Sequence, residues 1–262
     1  MAVFAKTVLA KILAVTQHKG GVGKTTASVH GAFYQAEKGN RVLYIDTDPQ
    51  RNGSLTLAKY KSNVATMQLY ADNCPAPVTV DGQLITLIYA EPSLTDLDVG
   101  TKEEIQDRLR AFKLNVEAMA SQFDVIIIDT GPSAGLRLTS ALLVADYVLT
   151  PIVMEYYSVE GIGMMLKMIT NVRNKMNKKM VFLGMLPSIY DTHNHDQKKL
   201  FAQVKRDHSA LLVDGVLVKR SSVAKALQDG VPVWDIKRTS AREAGKEMRD
   251  VLGNIFAKMG IK

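Results

Sequence analysis

The segment that constrains this chain most is Lys19-Gly20-Gly21-Val22-Gly23-Lys24-Thr25-Thr26. It follows the apolar run Ile12 to Gln17, which reads as a buried strand, and it opens Thr25 to Lys38, which reads as a helix. Glycines without Cβ atoms let the backbone turn its N–H groups inward. The helix adds unpaired donors and the positive end of its dipole. Strand, loop and helix in that order form a cradle for phosphate oxygens. Lys24 is then expected to reach the β- and γ-phosphates, the Thr25 hydroxyl to ligate Mg²⁺, and Thr26 to support the α-phosphate. The strict pattern G-x-x-x-x-G-K-[ST] is not met, because His18 stands where its first glycine belongs. The segment has the form K-G-G-x-G-K-[ST], set apart by the extra lysine, Lys19.

The rest of the chain repeats the strand–helix alternation. Arg41 to Asp46, Leu84 to Ala90, Phe123 to Asp129, Tyr147 to Val153 and Met180 to Met185 read as strands. Thr101 to Gln122 carries Ile105, Leu109, Phe112, Val116 and Met119 at helical spacing. Further helices are expected over Ser158 to about Met176, Gln197 to Arg206, Ser221 to Gln228 and Ala241 to Met259. Val125 to Ile128 is apolar throughout, which fits a strand covered on both faces of a parallel sheet. The expected fold is α/β, a three-layer P-loop NTPase arrangement with a mainly parallel twisted sheet. No linker-like stretch interrupts it, so residues 1–262 are expected to form a single domain.

Two strand ends deliver carboxylates where ligands bind in open α/β sheets. One is Ile45-Asp46-Thr47-Asp48-Pro49-Gln50. The other is Val125-Ile126-Ile127-Ile128-Asp129-Thr130-Gly131-Pro132, in the form of a Walker B strand. Asp129 is expected to hold Mg²⁺, through water, since that ion keeps much of its hydration shell.

With these motifs the chain resembles the ParA/MinD family of P-loop ATPases, and the pattern most resembles the short partition proteins of IncP plasmids. The likeness continues through Ala145-Asp146-Tyr147-Val148-Leu149-Thr150-Pro151, Glu155, Ser158 and Gly161. It extends through Leu183 to Ser188, Arg220 to Ala226 and Gly230 to Val233. The resemblance implies that Lys19 crosses an ATP-sandwich homodimer and contacts the partner's nucleotide. A cation supplied in trans makes phosphoryl transfer depend on assembly. It places Asp48 near the γ-phosphate, orienting the attacking water, and Asp46 deeper, near Lys24 and the metal. Base contacts are expected from the loop around Lys219 to Ser222. Relatives often have glycine after the glutamine of D-P-Q; here Arg51 stands there. The resemblance further implies non-specific DNA binding and a ParB-like centromere-binding partner. With 18 residues before Lys19, no operator-reading helix-turn-helix domain is expected.

Charge agrees with an anionic partner. The net charge is +7, and residues 197–262 hold 14 Lys and Arg against 7 Asp and Glu. The candidate DNA contacts are Lys198, Lys199, Lys205, Arg206, Lys219, Arg220, Lys237, Arg238, Arg242 and Lys246. Cys74 is the one cysteine, so no intramolecular disulfide can form, and an iron–sulfur cluster bridging a dimer would lack thiolates. Met1 to Lys11 lacks the order of a targeting segment, and no apolar run approaches the ~20 residues of a membrane span. The expected location is cytoplasmic and nucleoid-associated.

Rival readings have their own residues. A MinD-like membrane-associated ATPase would end in an amphipathic helix, and Met248, Val251, Leu252, Ile255, Phe256 and Met259 form an apolar stripe. The same stripe suits a final helix packed on the sheet. An amidating synthetase would need a second catalytic site, which the sequence does not display. His193 and His195 lack a third ligand at metal-site spacing, and Trp234 reads as a packing residue.

Overall fold

The computed structural model describes residues 9–133, 135–156 and 161–261. Among the described residues, seven parallel strands form one sheet: β1 (Lys11–Val15), β2 (Val42–Asp46), β3 (Lys61–Ala65), β4 (Ile85–Tyr89), β5 (Val125–Asp129), β6 (Tyr147–Ile152) and β7 (Val181–Pro187). Their order is β3-β4-β2-β5-β1-β6-β7. The described α-helices are α1 (Lys24–Glu37), α2 (Asn52–Thr56), α3 (Lys102–Met119), α4 (Leu136–Val144), α5 (Ile162–Lys175), α6 (His195–His208), α7 (Ser221–Asp229) and α8 (Thr239–Lys258). The strands expected from the apolar runs are present within a few residues of their expected ends. The expected start of the fifth helix, Ser158, lies outside the described residues.

Both faces of the sheet are covered, which is why β2 and β5 are buried at every position. On one face Phe112 and Val116 of α3, Leu138 and Leu142 of α4 and Ile169 of α5 join the core. On the other, Phe33 of α1 packs in a second cluster with Met248, Val251, Leu252, Ile255 and Phe256 of α8. Tyr34 of α1 stacks on Phe256, with ring centroids 5.9 Å apart. The last apolar stripe thus covers the sheet, the packed alternative named for it above. Among the described residues no helix is long and apolar enough to cross a membrane.

Three elements carry no clear sequence signal. β3 is an edge strand with alternating burial and an irregular register against β4. α4 buries seven of its nine residues, so no polar face marks its period. α2 is only five residues long.

The topology fixes where a site can form. Val15 of β1 pairs with Asp129 of β5, and Asp46 of β2 pairs with the same Asp129. The C-terminal ends of the three central strands therefore stand side by side, and the loops leaving them share one edge.

Candidate nucleotide site

The glycine-rich loop joins β1 to α1. Gly21 and Gly23 have φ of 69° and 90°, a region that residues with a Cβ avoid. A Cβ on Gly23 would also stand 3.2 Å from the Ser188 hydroxyl at the end of β7. That hydroxyl donates to the Val22 carbonyl, pinning the loop to the sheet.

The two lysines of the loop point in different directions. Lys24 is buried, and its Nζ donates to the Lys19 carbonyl at 3.0 Å, closing the loop. Burial pushes the Lys24 pKa down, while Asp129 and Asp48 oppose the shift. The Lys19 side chain is 38% exposed, and its Nζ lies 2.7 Å from Glu155 on the loop after β6.

Asp129 ends β5 with no exposed surface. Its Oδ2 accepts from the Tyr44 hydroxyl at 3.0 Å, and Tyr44 in turn bonds Ser28 at 2.8 Å. Its Oδ1 is buried with no hydrogen-bond partner among the described residues. Burial first, then the neighbouring Asp46, raises this carboxyl to about 7; Thr25, Tyr44 and Lys24 oppose the shift. A buried oxygen left without a donor is costly unless something else binds it. With the Thr25 hydroxyl alongside, this donor set fits a hard cation such as Mg²⁺.

Asp46, the neighbour of Asp129 at the end of β2, is held by the loop that follows it. Its Oδ1 accepts from the Asp48 N–H at 3.0 Å, and its Oδ2 accepts from both the N–H and the hydroxyl of Ser54 at 2.7 Å. Through these bonds Asp46 braces the loop between β2 and α2. Asp48 stands beyond it and lines the cavity; its Oδ1 accepts from Gln50 N–H at 3.0 Å.

A cavity of about 630 Å³ runs along Gly20 to Thr26 and includes Asp48, Gln50, Asn52 and Pro132. A second, of about 370 Å³, adjoins it and shares Gly23, Thr26, Ile189 and Leu227. Lys219, Arg220, Ser221, Ala224 and Met248 line the second one. The loop expected to contact a base therefore borders a partly apolar recess beside the phosphate loop.

The motifs do not single out Tyr44, Ser28 or Ser54, and they include Ser188 without a contact. Tyr44 had a signal: it lies two positions before Asp46 on the same strand, hence on the same face. The contact of Ser188 with Val22 had none, since it joins segments far apart along the chain.

All the candidate DNA residues are exposed except Arg220. Its guanidinium is held by Glu247 at 2.7 Å and Glu243 at 2.9 Å, which tie the start of α7 to α8. Among the described residues no group of three or more His, Cys, Asp or Glu could hold a metal. Trp234 packs against His30, with ring centroids 5.9 Å apart, and under the Arg249 guanidinium at 4.8 Å.

A parallel sheet, a strand–loop–helix phosphate cradle with a buried lysine and a carboxylate at the next strand end define a P-loop NTPase. A family profile described as an AAA domain matches residues 10–182. The chain is 41% identical to Protein IncC of Escherichia coli over 260 residues, covering 96% of this chain and 70% of that protein. It is 30% identical to the sporulation initiation inhibitor protein Soj of Bacillus subtilis, covering 86% and 90%. It superposes on cobyrinic acid a,c-diamide synthase from Mycobacterium smegmatis, solved with an ATP analogue and magnesium, with a TM-score of 0.76. That pair is 26% identical, with 96% of each chain covered. The chain belongs to the ParA/MinD-type family of P-loop proteins that includes IncC and Soj.

Proposed function

We propose that this protein is a DNA-partition ATPase that segregates a plasmid or chromosome, working in the cytoplasm on the nucleoid. The observation that carries the reading is the divergence of its two loop lysines: Lys24 is turned into the cradle, while Lys19 is half exposed at its rim. The inward lysine serves the nucleotide in its own cradle. A second one at the rim suits a partner subunit's nucleotide, as an arginine finger does. Relatedness to IncC favours partition over the amidating reaction of the diamide synthase, whose likeness extends to the fold.

In this reading ATP and Mg²⁺ bind together. Thr25 and the free Oδ1 of Asp129 hold the ion, which supplies positive charge against the triphosphate. Backbone N–H groups of Gly20 to Thr26 cradle the phosphates, with Lys24 against the β- and γ-phosphates and Thr26 supporting the α-phosphate. Asp48 orients the attacking water, and the recess by Lys219 to Ser222 takes the base. Lys19 of each subunit locks a homodimer around two nucleotides, and the exposed basic residues of two subunits then bind DNA together. A ParB-like partner stimulates hydrolysis and release. A MinD-like membrane role has less support, because Val251, Leu252, Ile255 and Phe256 of α8 are buried on the sheet.

The test is retention on non-specific DNA with ATP or ADP, alongside light scattering of the eluted species. Wild type is expected to be retained as a dimer with ATP only, and Lys19→Ala to remain monomeric and to wash through. Equal retention with both nucleotides refutes the reading.

A further inference from the structure

Arg137 sits in the first turn of α4, just after the segment that leaves Asp129. It is 6% exposed, unusual for an arginine, and takes no part in the nucleotide cradle described above. Its Nη1 donates to the Leu94 carbonyl at 2.8 Å. Its Nη2 donates to the Ser133 hydroxyl at 3.1 Å and lies 3.3 Å from Asp98 Oδ2. The other oxygen of Asp98 accepts the Leu136 N–H, the first donor of α4, at 2.7 Å. A Cβ on Gly135 would fall 2.2 Å from that oxygen, so only glycine lets Asp98 reach the helix end. Leu94 and Asp98 belong to the 3₁₀ turn Pro92–Asp98 after β4.

The pair therefore grips the post-Asp129 segment at two points, Ser133 and Leu136. Between Asp129 and that grip lie Gly131, where a Cβ would stand 3.2 Å from Asp48 Oδ1, and Pro132, which lines the phosphate cavity. The fork of a buried guanidinium fixes direction as well as distance.

We propose that Arg137 and Asp98 are positioning residues that hold Gly131, Pro132 and Ser133 against Asp48, so that they set the rate of ATP turnover and not the affinity for nucleotide. The proposal rests on the ATPase reading above. A helix cap alone would be served by Asp98 without Arg137, and a buried ion pair alone would not engage Ser133. The arrangement joins both to the strand end that carries Asp129.

Ser133→Ala removes one acceptor of Arg137, and Asp98→Asn can still cap Leu136 through its amide oxygen while turning a donor toward the guanidinium. Arg137→Lys keeps charge and loses the fork. Full-length variants are compared with wild type in steady-state ATP hydrolysis, in ADP binding and in amide hydrogen exchange, with thermal melting as the check on folding. In Ser133→Ala and Asp98→Asn, kcat is expected to fall about tenfold or more, as for a displaced catalytic group. KM and ADP affinity are expected to change by less than about twofold. Exchange should quicken in the peptide from Thr130 to Leu142 and stay unchanged from Lys19 to His30. Arg137→Lys should fall between these variants and wild type. Unchanged kcat and exchange in folded variants overturn the proposal, as does a loss of kcat that only follows a loss of melting temperature. Wild type without turnover overturns the ATPase reading, and local exchange then decides the clamp by itself.

Discussion

Arg51 adopts φ 60° and ψ 24° immediately before α2. This left-handed region costs an L-residue with a Cβ roughly 1–2 kcal/mol, part of which glycine recovers at some cost in chain entropy. It is also the position where related D-P-Q loops often carry glycine. Arg51→Gly is therefore expected to stabilise the fold by about 0.5–1 kcal/mol in urea titration. His30 offers a second test at this scale. Fully buried, its Nδ1 pairs with the Thr26 carbonyl at 2.8 Å and its Nε2 accepts from Val233 N–H at 3.3 Å, so the neutral ring links the phosphate-loop helix to the turn before α8. Burial lowers its pKa from 6.5 to about 4. The unfolded chain then takes up a proton between those values and the folded one does not. Stability contributed here is whole above 6.5, falls as pH drops toward 4 and is level below. Relative to His30→Gln, wild type should lose about 2 kcal/mol between pH 7 and pH 5 in urea midpoints, and a flat difference would show the ring is not buried neutral.

Elements differ in how plainly their residues announce them. α3 begins with a reciprocal capping box, Thr101 Oγ accepting Glu104 N–H at 3.2 Å and Glu104 Oε2 accepting Thr101 N–H at 2.7 Å, and its period is readable along the chain. α8 is equally periodic, but periodicity alone suits a membrane surface as well as a core. Only packing separates the two, with Phe256 at 1% exposure against Tyr34 and the sheet. Phe256→Ala is accordingly expected to destabilise the protein by about 3–5 kcal/mol, measured by chemical denaturation. A change below about 1 kcal/mol would mean that the helix does not cover the core. β3 and α4 were illegible for opposite reasons: the edge strand has too few apolar residues and the buried helix too many.

For the whole molecule, charge and assembly act together. Nine of the candidate basic residues are exposed and spread over α6, the loop before α7, the turn before α8, and α8 itself. Phosphate contacts release counterions, so a site with about six of them loses about a thousandfold in affinity between roughly 50 and 200 mM salt. If two subunits act together in ATP, the log–log salt slope of wild type should be about twice that of Lys19→Ala. Equal slopes would mean that the dimer adds no DNA contacts.

The chain order alone determined the strand–loop–helix cradle and the parallel sheet, because each depends on neighbours within a few residues and on periodicity. Tertiary structure decided what depends on distant segments meeting. It tied Asp46 to Ser54, left Asp129 Oδ1 as a buried acceptor without a hydrogen-bond partner among the described residues, engaged Arg220 with α8 and set Arg137 behind the loop that follows β5. A carboxylate's chemistry is fixed by which donors reach it, and in this fold those donors arrive from other strands and helices.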